Sequence, residues 1–163
     1  MDGLERFNEL PEAGAVAELL AVCHSGRWAE RVAAGRPYAD LAALQARADE
    51  IWMALGPDDW REAFKAHPRI GESGGGAEEW SRQEQAGVGG AGADVRERLA
   101  AGNAEYERRF GHVFLISAAG RDAGELLAAL QDRLGNDPET ELRVAAGEHR
   151  RITRLRLQKL VAT

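Results

Sequence analysis

A single cysteine, Cys23, stands in 163 residues, so no intrachain disulfide can form and a reducing compartment is expected. No apolar run approaches the roughly 18 residues that would suggest a membrane span. The N-terminus, Met1-Asp2-Gly3-Leu4-Glu5, lacks the basic and apolar regions of a secretory leader, and Leu160-Val161-Ala162-Thr163 is not a peroxisomal tripeptide. Cytoplasm is therefore the expected location. Positive charge is also in deficit: 21 Lys and Arg face 27 Asp and Glu, for a net charge of −6. That balance argues against nucleic-acid or anionic-lipid partners, and an anionic ligand would need a local positive site. There is no phosphate loop, no Gly-x-Ser-x-Gly elbow and no dinucleotide fingerprint. Cys23-His24 has no second ligand cluster, so no zinc site is expected.

What is present is enough apolar material for a core. Hydrophobic residues make up 44% of the chain, and its length suits one domain spanning 1–163. Their spacing is mostly helical. A first helix is expected from near Pro11, turning Val16, Leu19, Leu20 and Cys23 inward, and a second carries Trp28 and Val32 to Gly35. Asp40 caps a third, with Leu41, Leu44, Ile51, Trp52 and Leu55 on one side. Asp58 and Asp59 open a short fourth helix bearing Trp60 and Phe64. Glycine-rich breaks follow at 71–76 and 87–92, the first expected to be a mobile loop. Helices are then expected over 94–110, 122–134 and, after Asp137-Pro138, to about Leu160. Between the first two of these, Val113 to Ser117 is a short apolar run with no partner strand, expected as extended chain packed between helices. The expected fold is all-α, a helical bundle with one short extended segment.

Chemistry concentrates after the fourth helix, in Lys65-Ala66-His67-Pro68-Arg69-Ile70-Gly71. Pro68 disfavours helix at the preceding residue, so His67 stands where the helix ends. An imidazole at such an exit, with a carboxylate nearby, can serve as a general acid or base; a structural histidine is the ordinary alternative. Trp80-Ser81-Arg82-Gln83-Glu84-Gln85 opens the next polar segment. Ser81-x-x-Glu84 has the form of a capping box, in which Glu84 folds back on its own helix end. On a helical wheel Arg156 falls with Leu142, Ala145, Ile152 and Leu160 on the apolar side, whereas Arg150 and Arg154 fall opposite, towards solvent. A guanidinium on an inward face needs an anion: a structural ion pair, or a carboxylate ligand held in a bidentate clamp. A side chain that snorkels to solvent is the third possibility. Trp28, Trp52 and Trp60 have core spacing, and His112 and His149 are expected to be structural or exposed.

His67-Pro68-Arg69-Ile70-Gly71 and Trp80-Ser81-Arg82-Gln83-Glu84-Gln85 together resemble the signature of the OHCU decarboxylases. The resemblance continues in order through residues 109–118, 135–142 and 151–157, nearly the whole chain. It implies a compact helical domain, usually dimeric, that needs no cofactor. The implied activity is a carboxy-lyase reaction, from 2-oxo-4-hydroxy-4-carboxy-5-ureidoimidazoline (OHCU) to (S)-allantoin in urate breakdown. It also implies roles: His67 and Glu84 catalytic, and Pro68, Ser81 and Gln85 lining the substrate pocket. Phe114, Leu115, Ile116, Ser117 and Ala118 would supply backbone contacts to the planar ring, and Arg156 would clamp the carboxylate. Ser117 stands where many relatives have cysteine, and Gly147 and His149 also depart from the family pattern, which bears on fine specificity. A helical interaction module without catalysis, and a decarboxylase or hydratase of another small anionic heterocycle, are the rival readings.

Overall fold

Acidic and hydroxyl side chains mark where the helices begin. The computed structural model describes residues 1–70 and 92–162. Among these, eight helices follow one another and no strand occurs: α1 Gly3–Glu9, α2 Glu12–Val22, α3 Gly26–Ala34, α4 Leu41–Ala54, α5 Pro57–Phe64, α6 Ala93–Phe110, α7 Ala123–Arg133 and α8 Pro138–Leu160. Asp2, Ser25, Asp40 and Asp122 each accept a hydrogen bond from a first-turn amide of α1, α3, α4 and α7. Such a cap is worth about 1 kcal/mol. Gly111 ends α6 in the left-handed region (φ 79°), which only glycine adopts without strain. The all-α class is as expected, and Val113 to Ala118 is extended without pairing.

Three expectations need correction. Pro11 does not open the first helix: α1 precedes it, announced by the reciprocal Asp2–Glu5 capping box. In α2 the buried positions are Ala15, Leu19 and Val22, with Cys23 buried just beyond, whereas Val16 and Leu20 are only half-buried. Arg150 is also half-buried, and its Nε is enclosed without a hydrogen bond among the described residues. Only Arg154 of that pair is exposed, and it bonds Asp49.

The chain groups into two compact units, Met1–Ala63 with Arg150–Thr163, and Phe64–His149. In the first, Trp28, Trp52, Phe7, Leu19, Leu44 and Leu157 are fully buried. Its enclosed polar groups bond to backbone carbonyls. Trp28 Nε1 donates to Ala48 O (3.1 Å), Trp60 Nε1 to Trp52 O (3.0 Å) and Tyr38 Oη to Val32 O (2.6 Å). Arg36 reaches Ala33 O, Phe7 O and Leu10 O at 3.0, 2.9 and 2.7 Å, gathering the ends of α3 and α1.

In the second unit α6 and α7 pack across a core of Ile70, Leu99, Tyr106, Phe114, Ile116, Leu126 and Leu130. Gly102 permits the close approach: a Cβ there would lie 2.5 Å from Leu130 Cδ2. Several buried polar groups in this unit meet at one carboxylate. Glu141, fully buried on α8, accepts from Arg133 Nη2 (2.6 Å), from Asn136 Nδ2 (3.0 Å) and from the Tyr106 hydroxyl. Arg133 also lies over the Phe114 ring, 4.5 Å from its centre. Burial, and then the bond to Glu141, push the Tyr106 hydroxyl pKa well above its ordinary value.

Candidate active site

His67 is delivered by the end of α5. Its amide donates to Phe64 O (3.1 Å), closing one last turn before Pro68 prevents continuation. The chain is pinned again directly afterwards, where Arg69 Nε donates to Glu107 Oε2 (2.8 Å) and Asn103 Nδ2 to Ile70 O (3.2 Å), both on α6. His67 and Pro68 are half-buried. The imidazole meets that of His149 on α8 nearly at right angles, with ring centres 4.8 Å apart and an interplanar angle of 81°. Phe64 packs on His149 at 5.8 Å and on His112 at 5.2 Å. Three of the chain's four histidines thus belong to one aromatic group.

Phe114, Leu115, Ile116, Ser117 and Ala118 are all buried. Their extended backbone is fixed from two sides. Arg133 Nη1 donates to Leu115 O (2.7 Å), and the Ser117 amide donates to Glu148 Oε1 (3.1 Å). The same Glu148 oxygen accepts from Arg121 Nη1 (3.1 Å). Glu148 and His149 are neighbours on α8, so consecutive residues hold the extended segment and the His67 ring. A backbone stretch clamped in this way holds its remaining amides and carbonyls in fixed directions.

Of the expected site residues, His67, Pro68 and 114–118 belong to the Phe64–His149 unit. Arg156 belongs to the other and is buried, with Nη1 donating to Val22 O (3.3 Å). Ser81, Glu84 and Gln85 lie outside the described residues, and so does the choice between capping and catalysis for Glu84. The glycine-rich stretch 71–76, expected as a mobile loop, lies outside them too. Of the two histidines expected to be structural or exposed, His149 is fully buried and His112 is half-buried. Cys23 is buried, and burial pushes its thiol pKa up, which suits an inert core residue. Among the described residues no three His, Cys, Asp or Glu side chains gather as metal ligands, and no helix is long and apolar enough to cross a membrane.

Reading the sequence missed Tyr106, Arg133, Glu141, Glu148 and His149 as supports of the site. A signal for two of them was available: Glu141, Ala145, His149 and Ile152 recur at helical spacing on the face that also carries Arg156.

The profile of the OHCU decarboxylase family matches residues 8–158. The chain belongs to the OHCU decarboxylase family. It is 33% identical over 144 residues to the uric acid degradation bifunctional protein TTL of Arabidopsis thaliana, covering 85% of this chain and 44% of that protein. It is 31% identical over 153 residues to the 2-oxo-4-hydroxy-4-carboxy-5-ureidoimidazoline decarboxylase of Amia calva, covering 91% of this chain and 85% of that one. A crystal structure of an OHCU decarboxylase in the presence of (S)-allantoin superposes with a TM-score of 0.79 at 33% identity, over 88% of this chain and 96% of that one. The chain spans less than half the length of the bifunctional relatives it matches.

Proposed function

We propose that this chain is a carboxy-lyase that converts OHCU to (S)-allantoin in urate breakdown, without a cofactor. The observation that carries the reading is an imidazole held at a helix exit, in the run His67-Pro68-Arg69-Ile70-Gly71 that resembles the family's signature, in a chain that matches the family across residues 8–158. Loss of carbon dioxide leaves an electron pair that the adjacent ring imine accepts, its nitrogen taking up one proton from solvent. The hydroxyl-bearing carbon becomes a carbonyl as its hydroxyl proton leaves and a proton reaches the ureido-bearing carbon. His67 takes the hydroxyl proton and delivers the proton to carbon, and delivery to one face gives the (S) product. Glu84 orients His67 or the substrate hydroxyl. Pro68, Ser81 and Gln85 contact the ureido and ring groups, and the backbone of 114–118 contacts the planar ring. Arg156 binds the carboxylate, a role supported by its burial on α8, because a guanidinium is seldom enclosed without a task. We further assign the active species as a cytoplasmic homodimer, which sedimentation would check for its assembly.

The test is circular dichroism of the product after generating OHCU in situ. Wild-type protein should produce the (S)-allantoin signal rapidly. A positioned acid/base contributes about 10² to 10⁴ in rate, so His67→Asn should lose at least about two orders of turnover while keeping its helical spectrum. Near wild-type turnover in that variant would remove His67 from the chemistry. Slow racemic product from the wild type would overturn the activity itself.

A further inference from the structure

We infer that His149 is a positioning residue for His67, fixing the plane of its imidazole by an edge-to-face contact; this deepens the reading of His67 as the acid/base. His67 lies beyond the end of α5, so no helix restricts its side chain. The torsion that turns an imidazole about its own axis joins sp³ to sp² carbon and has broad minima. The contacts around the ring therefore choose its plane, and with it the direction in which each nitrogen points; the edge of His149 is one of them.

The neighbour available for this is unusually firm. His149 is fully buried within the longest described helix, with ring centre 4.8 Å from that of His67 and an interplanar angle of 81°. Edge-to-face pairs between 4.5 and 7 Å are the attractive arrangement for flat rings (about tenfold in an equilibrium at the favourable end). Phe64 supports His149 at 5.8 Å, and its contact with His112 at 5.2 Å continues the group. One residue before, Glu148 is tied to Ser117 and Arg121, so α8 is anchored at this turn by hydrogen bonds as well as by packing. An aliphatic side chain at 149 would fill an interior site without burying a polar ring. It would present no flat edge to His67.

The experiment compares wild type, His149→Phe and His149→Leu by NMR of histidine-labelled protein and by steady-state turnover of OHCU. In the wild type, cross-relaxation between the carbon-bound ring protons of His67 and His149 is expected, together with a ring-current displacement of the His67 signals. His149→Leu should lose that displacement and about tenfold in kcat, with KM changed less than about twofold, because orientation and not binding is lost. His149→Phe keeps a ring and should recover kcat to within about threefold of wild type. Unchanged His67 signals and kcat in His149→Leu would overturn the inference, as would a folded His149→Phe that lost as much kcat as His149→Leu. If the leucine variant fails to fold, the wild-type cross-relaxation decides: its absence overturns the contact. If wild-type protein does not turn over OHCU, the functional reading fails separately, and the NMR comparison still tests the positioning.

Discussion

Buried donors in both units reach backbone carbonyls, and the Phe64–His149 unit adds carboxylates that several groups share. In the unit formed by Met1–Ala63 and Arg150–Thr163, indole, phenol and guanidinium donors go to backbone carbonyls: Trp28 to Ala48, Trp60 to Trp52, Tyr38 to Val32, Arg36 to Phe7 and Leu10, Arg156 to Val22. In the Phe64–His149 unit Arg133 and Asn103 also reach carbonyls, of Leu115 and Ile70, but carboxylates are added as shared acceptors: Tyr106, Arg133 and Asn136 meet at Glu141, and Ser117 and Arg121 at Glu148. A carbonyl acceptor survives any side-chain substitution and carries no net charge. A carboxylate acceptor holds several groups at once, but its removal strands a buried cation. The unit bearing His67 and the extended segment uses the second kind, which fixes backbone and rings more firmly at greater risk.

That contrast is most open to attack at Glu141. Glu141→Ala leaves the Arg133 guanidinium enclosed and uncompensated, and should cost about 3–5 kcal/mol in urea denaturation. Replacing both partners, as Arg133→Met with Glu141→Leu, should recover a good part of that loss. A cost below about 1 kcal/mol for Glu141→Ala would show that the network is no firmer than the carbonyl bonds of the other unit.

Alkaline titration sharpens the comparison, because both units enclose weak acids whose pKa burial raises. Tyr106 and Cys23 are both raised, from ordinary values of 10.0 and 9.0, mainly by burial. The folded state keeps a proton that the unfolded chain has released, so stability is intact below the unfolded pKa and falls as pH rises beyond it. The decline should begin above about pH 9 from Cys23 and steepen above about pH 10 from Tyr106 and Tyr38, each adding at most about 1.4 kcal/mol per pH unit. Cys23→Ala should remove the first component, and Tyr106→Phe its share of the second. Stability that stayed flat to pH 11 in the wild type would contradict both.

The smallest expected effect belongs to Trp28→Phe. It deletes one hydrogen bond to a carbonyl and preserves much of the ring packing, so a loss of about 1–2 kcal/mol is expected from thermal unfolding. A loss as large as that of Glu141→Ala would erase the distinction between the units.

Local order along the chain was legible because it depends on neighbours in sequence. Asp40 before the Leu44, Ile51, Trp52 stripe, Gly111 after α6 and Asp137-Pro138 before α8 are signals of this kind, and each stands where expected. Helix α1 was missed although its Asp2–Glu5 capping box was present, since seven residues show too little apolar periodicity. His67 was legible as a helix-exit imidazole for the same local reason. Its partner His149 was not, because 82 positions separate the two, the difference of their residue numbers.

The sequence by itself determined the all-α class, the family and the inward face of Arg156, since capping, periodicity and ordered motifs are properties of short stretches. Tertiary structure alone decided which buried groups meet. It set His149 against His67, gathered Tyr106, Arg133 and Asn136 at Glu141, and gave Ser117 to Glu148. Those pairings follow from how helices distant in sequence pack, and in a low-dielectric interior the identity of the partner fixes what each polar group costs and can do.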